Sequence, residues 1–176
     1  MRLFASEYWK CSETGCFNNE LSLKFVFAES LISDQQKSSD QIKRFLSQHK
    51  NQSGIQHIGF FCAKNIKESV RIAQANGAEF LTPCANYYLR ENNGNTIESV
   101  GENIDELAEL GILLDNECDQ SEIADKSLLQ IFTKSIFNND TFFLELIERR
   151  GARGFGAGNI RTLWKIVQQK LDSNTV

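Results

Sequence analysis

The sequence predicts an α+β fold, and three observations lead there. Short apolar or alternating segments occur at 21–27, 54–62, 128–134 and 142–148, the length and pattern of strands. Segments with apolar residues at helical spacing, opened by Asn or Asp and closed by Gly, lie between and after them. The order is strand, helix, then three strands, with helices inserted and appended.

The first thirty residues are hard to read beyond one alternating run, Leu21 to Phe27. Ser39 to His49 reads as a helix with Ile42, Phe45 and Leu46 on one side, and residues 50–54 as a turn. Gly54 to Cys62 (GIQHIGFFC) is strand-like, though so short an apolar run also suits a buried helix. Asn65 opens a helix in which Glu68 is placed to reach back to the cap, Ile66, Val70 and Ala73 form its inner stripe, and Gly77 stops it. A short strand, Glu79 to Leu81, ends at Pro83. Tyr87 and Tyr88 open a helical stretch that dissolves in Glu91 to Asn95.

Asn103 starts a further helix with Ile104, Leu107 and Leu110 inward and Gly111 as its stop. Asp115 to Asp125 reads as an acidic, solvated loop. The strands Leu128 to Lys134 and Phe142 to Glu148 follow, joined by an Asn138-Asn139-Asp140 turn. Asn159 then caps a helix striped with Ile160, Leu163, Trp164, Val167 and Leu171.

Composition narrows the function. Of 176 residues, 41% are hydrophobic and 24% charged, the profile of a globular domain. A net charge of −4 offers no footprint for nucleic acid, and no apolar run is long enough to span a bilayer. Five cysteines without zinc-ligand spacing read as reduced thiols, which points to an intracellular setting, and no targeting segment separates a mitochondrial from a cytoplasmic one. The N-terminus has neither a secretory nor a mitochondrial presequence; it reads as the middle of a longer chain.

Strand parity supplies a chemical constellation. Side chains two apart share a face, so Gln130 goes with Phe132, Phe143 with Glu145 and Ile147, and His57 with Gly59 and Phe61. If these strands form one curved sheet, its concave side holds a histidine, a carboxylate, an amide and aromatic rings. Glu145 stands in an otherwise apolar strand, where a carboxylate needs a cation or hydrogen-bond donors. An ion pair with a lysine or arginine of another strand is one explanation. A metal ion held by His57 and Glu145, two members of a 2-His-1-carboxylate triad, is the other. His49, the only other histidine, reads as an exposed helix residue, and no third ligand is visible.

At this point the residues resemble the 4-hydroxyphenylpyruvate dioxygenase family. Gly54-Ile55-Gln56-His57-Ile58 is similar to that family's GVQHI strand. LLQIFTK (128–134), FFLELIER (142–149) and GFGAGN (154–159) are similar to three further signatures in the same order. The resemblance runs from about Ser39 to Leu171, and residues 132–164 resemble a paralogous, dioxygenase-like branch almost throughout.

The resemblance implies a vicinal-oxygen-chelate fold, with paired βαβββ modules curled into a barrel around Fe(II) and a C-terminal gating helix. It implies residues 1–38 as a remnant of a preceding module and 39–176 as the C-terminal domain. His57 and Glu145 match iron ligands; Gln41, Gln56, Gln130, Phe132, Phe143, Phe155 and Asn159 match residues at or near the substrate. Ile160 stands where the dioxygenases carry phenylalanine, which reshapes the gate. The implied substrates are 4-hydroxyphenylpyruvate, a small aromatic 2-oxo acid, and O2. Either 4-hydroxymandelate or homogentisate is the product, and Ile160 favours the former.

The first histidine ligand of the pattern falls upstream of Met1. This chain alone is therefore expected to bind iron weakly and turn over little. A truncated paralogue acting as a binding module is the competing reading. A half-barrel would also expose an apolar strand edge and favour homo-oligomers.

Overall fold

The computed structural model describes residues 1–7, 23–31, 40–63, 65–116, 126–137, 142–156, 158–160 and 162–166. The chain divides into two compact units, Met1–Gly54 and Ile55–Val176. The sequence reading set its division after Ser38 instead.

The first unit holds an antiparallel hairpin and one helix. Strand β1 (Arg2–Glu7) pairs with β2 (Lys24–Glu29), so that Phe4 opposes Phe27. The alternating run thus forms a strand shifted a few residues C-terminal of its expected place, paired with a β1 that the sequence did not disclose. Helix α1 (Gln41–Gln48) is capped by Asp40, whose carboxylate accepts from the backbone N–H groups of Ile42 and Lys43. His49 ends α1. It is half-buried, not exposed as expected: its ring stacks on Phe45, centroids 4.0 Å apart, and Nδ1–H donates to the Phe45 carbonyl.

In the second unit, strands β3 (His57–Phe61), β4 (Leu113–Asn116), β5 (Ser127–Phe132) and β6 (Phe143–Arg150) form one sheet in the order β3-β6-β5-β4. β3 runs parallel to β6, and the other pairs are antiparallel. The second half of β4, Asp115 and Asn116, falls in the expected acidic loop; it is strand because Leu113 and Leu114 are buried beside β5. The remainder of the expected acidic loop, and the 138–140 turn, lie outside the described residues. Phe80 contributes only an isolated bridge to Thr133, so the expected strand at 79–81 shrinks to one residue.

Helix α2 (Ile66–Ala75) starts at Asn65, whose side chain accepts from Lys67 N–H, and the carboxylate of Glu148 on β6 accepts from Ile66 N–H. A tertiary carboxylate thus serves the first turn where the sequence suggested Glu68. Ile66 and Val70 are fully buried, each contributing roughly 1.5–3 kcal/mol of transfer free energy. The stretch after Pro83 is a 3₁₀ turn (Ala85–Tyr88), a π-helical turn (Arg90–Gly94) and a short α3 (Asn95–Ser99). Helicity therefore continues through Asn92-Asn93-Gly94, where it was expected to dissolve. Helix α4 (Ile104–Leu110) is capped by Asn103 and closed by left-handed Gly111, as its signals indicated.

β5 is buried along its whole length, and strand alternation divides its contacts. Leu129 and Ile131 join Ile66, Val70, Leu107 and Leu110 in the core under the helices. Phe132 joins Phe143, Leu113 and Ile166 on the opposite side. Ile166 belongs to the C-terminal helix α5, which covers residues 158–160 and 162–166. Asn159 lies inside that helix and does not cap it; the Asp115 carboxylate accepts from Gly158 N–H at its start. Val167 and Leu171 of the expected stripe lie outside the described residues. β3, at the sheet edge, exposes Ile58, Phe60 and Phe61.

Candidate metal centre

The sheet register brings the sequence's candidates together. Cross-strand partners project to the same face, and His57 opposes Phe143, Gly59 opposes Glu145, Phe132 opposes Glu145, and Gln130 opposes Ile147. Parity alone grouped residues within each strand; the register joins the three groups into one surface.

His57 Nε2 lies 3.7 Å from Glu145 Oε2. The other polar atom of each side chain is engaged. The Oε1 of Gln56 accepts from His57 Nδ1–H at 3.3 Å, which leaves Nε2 with its lone pair toward Glu145. Glu145 Oε1 accepts from Gln130 Nε2 at 2.5 Å. The His57 ring stacks on Phe143 at 4.8 Å between centroids, and Phe143 meets Phe132 edge-on at 6.0 Å.

Burial sets the electrostatics. Loss of water lifts the Glu145 carboxyl from 4.5 to about 7, against the opposing pull of the Gln130 hydrogen bond and the Arg149 charge. Desolvation also draws the His57 imidazole below 6.5, although the side chain is 37% exposed. Burial thus works against the charged form of both groups, and so against a settled ion pair between them. Among the described residues no lysine or arginine forms an ion pair with Glu145.

Gln130 sits at the centre. Beyond Glu145, its Nε2 donates to the Phe155 carbonyl at 3.2 Å, and its Oε1 accepts from Asn159 Nδ2 at 2.8 Å. The turn before α5 is shaped to this amide. Gly156 has φ +74°, and a Cβ there would stand 2.0 Å from Gln130 Oε1. Arg149 braces the same turn by donating to the Gly154 carbonyl at 2.6 Å. Ile160 follows on α5, partly buried. Gln41 belongs to the first unit, at the first turn of α1.

The sequence marks Tyr87 as a helix opener and assigns it no part in the site, yet its hydroxyl reaches Asn159 Oδ1 at 3.1 Å. No local signal announces that role, because the contact spans 72 residues of sequence. Among the described residues, no group of three or more His, Cys, Asp or Glu side chains is placed to hold a metal ion.

No protein-family model matches the chain. The human 4-hydroxyphenylpyruvate dioxygenase-like protein is 44% identical over 145 residues, 82% of this chain and 37% of that protein. The 4-hydroxyphenylpyruvate dioxygenase of Danio rerio is 36% identical over 159 residues, 89% of this chain and 37% of that protein. A triple mutant of 4-hydroxymandelate synthase from Streptomyces coelicolor superimposes with a TM-score of 0.62 at 35% identity, over 78% of this chain and 36% of that one. The chain belongs to the 4-hydroxyphenylpyruvate dioxygenase family.

The chain spans 37% of the length of these curated family members. Its mixed α+β architecture is shared with the family's solved structures. No helix of the described residues is long and apolar enough to cross a membrane.

Proposed function

We propose that this chain carries the carboxylate and one histidine of a non-haem Fe(II) centre that acts on 4-hydroxyphenylpyruvate. The observation that carries the reading is the His57–Glu145 pair. Two donors face each other, each held from behind by a glutamine, and the carboxylate is buried with no lysine or arginine partner among the described residues. An imidazole nitrogen and a carboxylate oxygen suit a first-row divalent ion, and a cation there offsets the cost of burying Glu145.

Residues 39–176 form the catalytic domain in this reading, a vicinal-oxygen-chelate half-barrel closed by α5. Iron, when bound, supplies oxygen activation and a Lewis-acid anchor for the 2-oxo acid. The chain's own residues do the rest. Gln56 fixes the His57 tautomer, Gln130 orients Glu145, and Phe132, Phe143 and Phe155 flank the aromatic ring. Asn159 contributes a polar contact, and α5 excludes water. Ile160 enlarges the gate and favours 4-hydroxymandelate over homogentisate as product. The name of the Streptomyces coelicolor neighbour supports that preference.

The third ligand comes from outside this set, so the 176-residue chain binds metal weakly and turns over little. Loss of even an outer-shell partner weakens metal affinity about 10–100-fold, and loss of a ligand does at least that. Co(II) titration followed by NMR tests the reading. We expect weak binding that shifts the His57 ring and the Glu145 carboxyl first. Tight stoichiometric binding with product formation would refute the incomplete site; no change at either residue at millimolar Co(II) would refute the metal site itself. That second outcome would favour a non-catalytic binding module, for which the exposed Ile58, Phe60 and Phe61 of β3 provide a surface.

A further inference from the structure

Behind Glu145 runs a buried polar chain. Gln130 donates to Glu145, Asn159 donates to Gln130, and the Tyr87 hydroxyl meets Asn159. Gln130 and Asn159 are 3% and 1% exposed, so neither amide has water as an alternative partner and each must be satisfied within the protein.

The direction of this chain follows from groups whose roles are fixed. The Leu114 N–H can only donate, and it does so to the Tyr87 oxygen at 2.9 Å; the Asn93 amide donates to the same oxygen at 2.6 Å. Both lone pairs of the hydroxyl are then occupied, and its single proton is left for one of two acceptors. These are the Leu114 carbonyl at 2.8 Å and Asn159 Oδ1 at 3.1 Å. The Leu114 carbonyl has a second donor, Asn93 Nδ2 at 2.8 Å, whereas among the described residues Tyr87 is the donor that reaches Asn159 Oδ1. Burial pushes the Tyr87 hydroxyl above its usual value of 10, so it keeps the proton it donates. At the far end the Phe155 carbonyl can only accept, so Gln130 turns its NH2 toward Phe155 and Glu145. Every donated proton in the chain then points toward the carboxylate.

We propose that Tyr87 is a positioning residue, whose hydroxyl, freed by Asn93 from the Leu114 carbonyl, fixes Asn159 on α5 and through it holds Gln130 as a donor to Glu145. It couples the C-terminal helix to a candidate metal ligand that it does not touch. The inference rests on the metal-centre reading only for the purpose that Glu145 serves; the hydrogen-bond chain itself needs no metal.

Solvent exchange of the Gln130 side-chain NH2 protons, measured by NMR on the metal-free chain, tests it. Tyr87→Phe removes the proton and leaves the ring. We expect the Gln130 NH2 to exchange about five- to tenfold faster, the effect of one lost hydrogen bond transmitted along the chain. The backbone amides of Leu129 and Ile131, on the same strand, keep their wild-type rates. Asn93→Ala leaves the tyrosine in place but strips the Leu114 carbonyl of its second donor, which draws the Tyr87 proton away from Asn159. The same acceleration at Gln130 is expected, and it keeps the test decisive should Tyr87→Phe fail to fold. Unchanged Gln130 exchange in either folded variant overturns the proposal. So does an equal acceleration of the Leu129 and Ile131 amides, which would mark Tyr87 as a packing residue only. A failure to bind Co(II) would overturn the metal reading and leave this result standing.

Discussion

Glu145→Gln in the metal-free chain gives a pH-dependent stability difference whose sign follows from burial. The carboxyl is lifted from 4.5 to about 7 in the folded chain, so the folded state holds its proton more tightly than the unfolded state does. The stability this contributes is fully present below about pH 4.5 and is lost as pH rises through 7. At about 1.4 kcal/mol per tenfold change in proton affinity, the loss is roughly 3 kcal/mol. Glutamine keeps the shape and an oxygen for Gln130 to donate to, and it carries no charge at any pH. Urea midpoints with a chelator present, at pH 4 and pH 8, measure the effect. The two proteins should be close at pH 4, and the glutamine variant about 3 kcal/mol more stable at pH 8. His57 works in the opposite direction, since its lowered folded value favours the fold above pH 6.5; it is present in both proteins. An equal gap at the two pH values would show that Glu145 is not held against its charge, and the chemical case for a cation at this site would fall with it.

Two substitutions test the scaffold around the site. Gly156→Ala combines a left-handed backbone, which costs an L-residue about 1–2 kcal/mol, with a Cβ driven into Gln130 Oε1, so denaturant midpoints should show a loss of roughly 2–4 kcal/mol. Gly77→Ala, also at positive φ but with nothing within 4 Å, should lose only the backbone part; equal losses would remove Gln130 from the account. Glu102 is the shared acceptor of Lys67 at 3.0 Å and Arg150 at 2.6 Å, joining α2 to β6 through a carboxylate only 6% exposed. Glu102→Leu should cost roughly 2–4 kcal/mol by leaving both cations short of a partner, measured as a fall in thermal midpoint; a neutral result would make the network dispensable.

Much of this fold is legible in the local sequence, for local reasons. Asn65 and Asn103 cap helices because a side-chain oxygen can serve the first-turn N–H groups from there, and Gly111 ends α4 because its φ of +76° costs glycine nothing. The pattern failed where long-range partners decide. β4 is short and flanked by acidic residues, and only its pairing with β5 makes it a strand. The turns around Asn92 and Asn93 remain helical although the composition argues for a loop, with Asn93 tied to Tyr87 and Leu114. His49 is drawn from solvent by the Phe45 ring.

The site divides in the same way. The sequence by itself determined which residue types share a strand face, because alternation is a property of each strand alone. It also marked His57 and Glu145 as the pair to watch, since a carboxylate among Phe142, Phe143, Leu144 and Leu146 requires an explanation. Only the tertiary structure decided that β3 and β5 flank β6 in the register that brings the two side chains within 3.7 Å. It alone placed Tyr87 and Asn159 behind Gln130. Pairing register and amide direction depend on groups tens of residues apart, and no local pattern carries them.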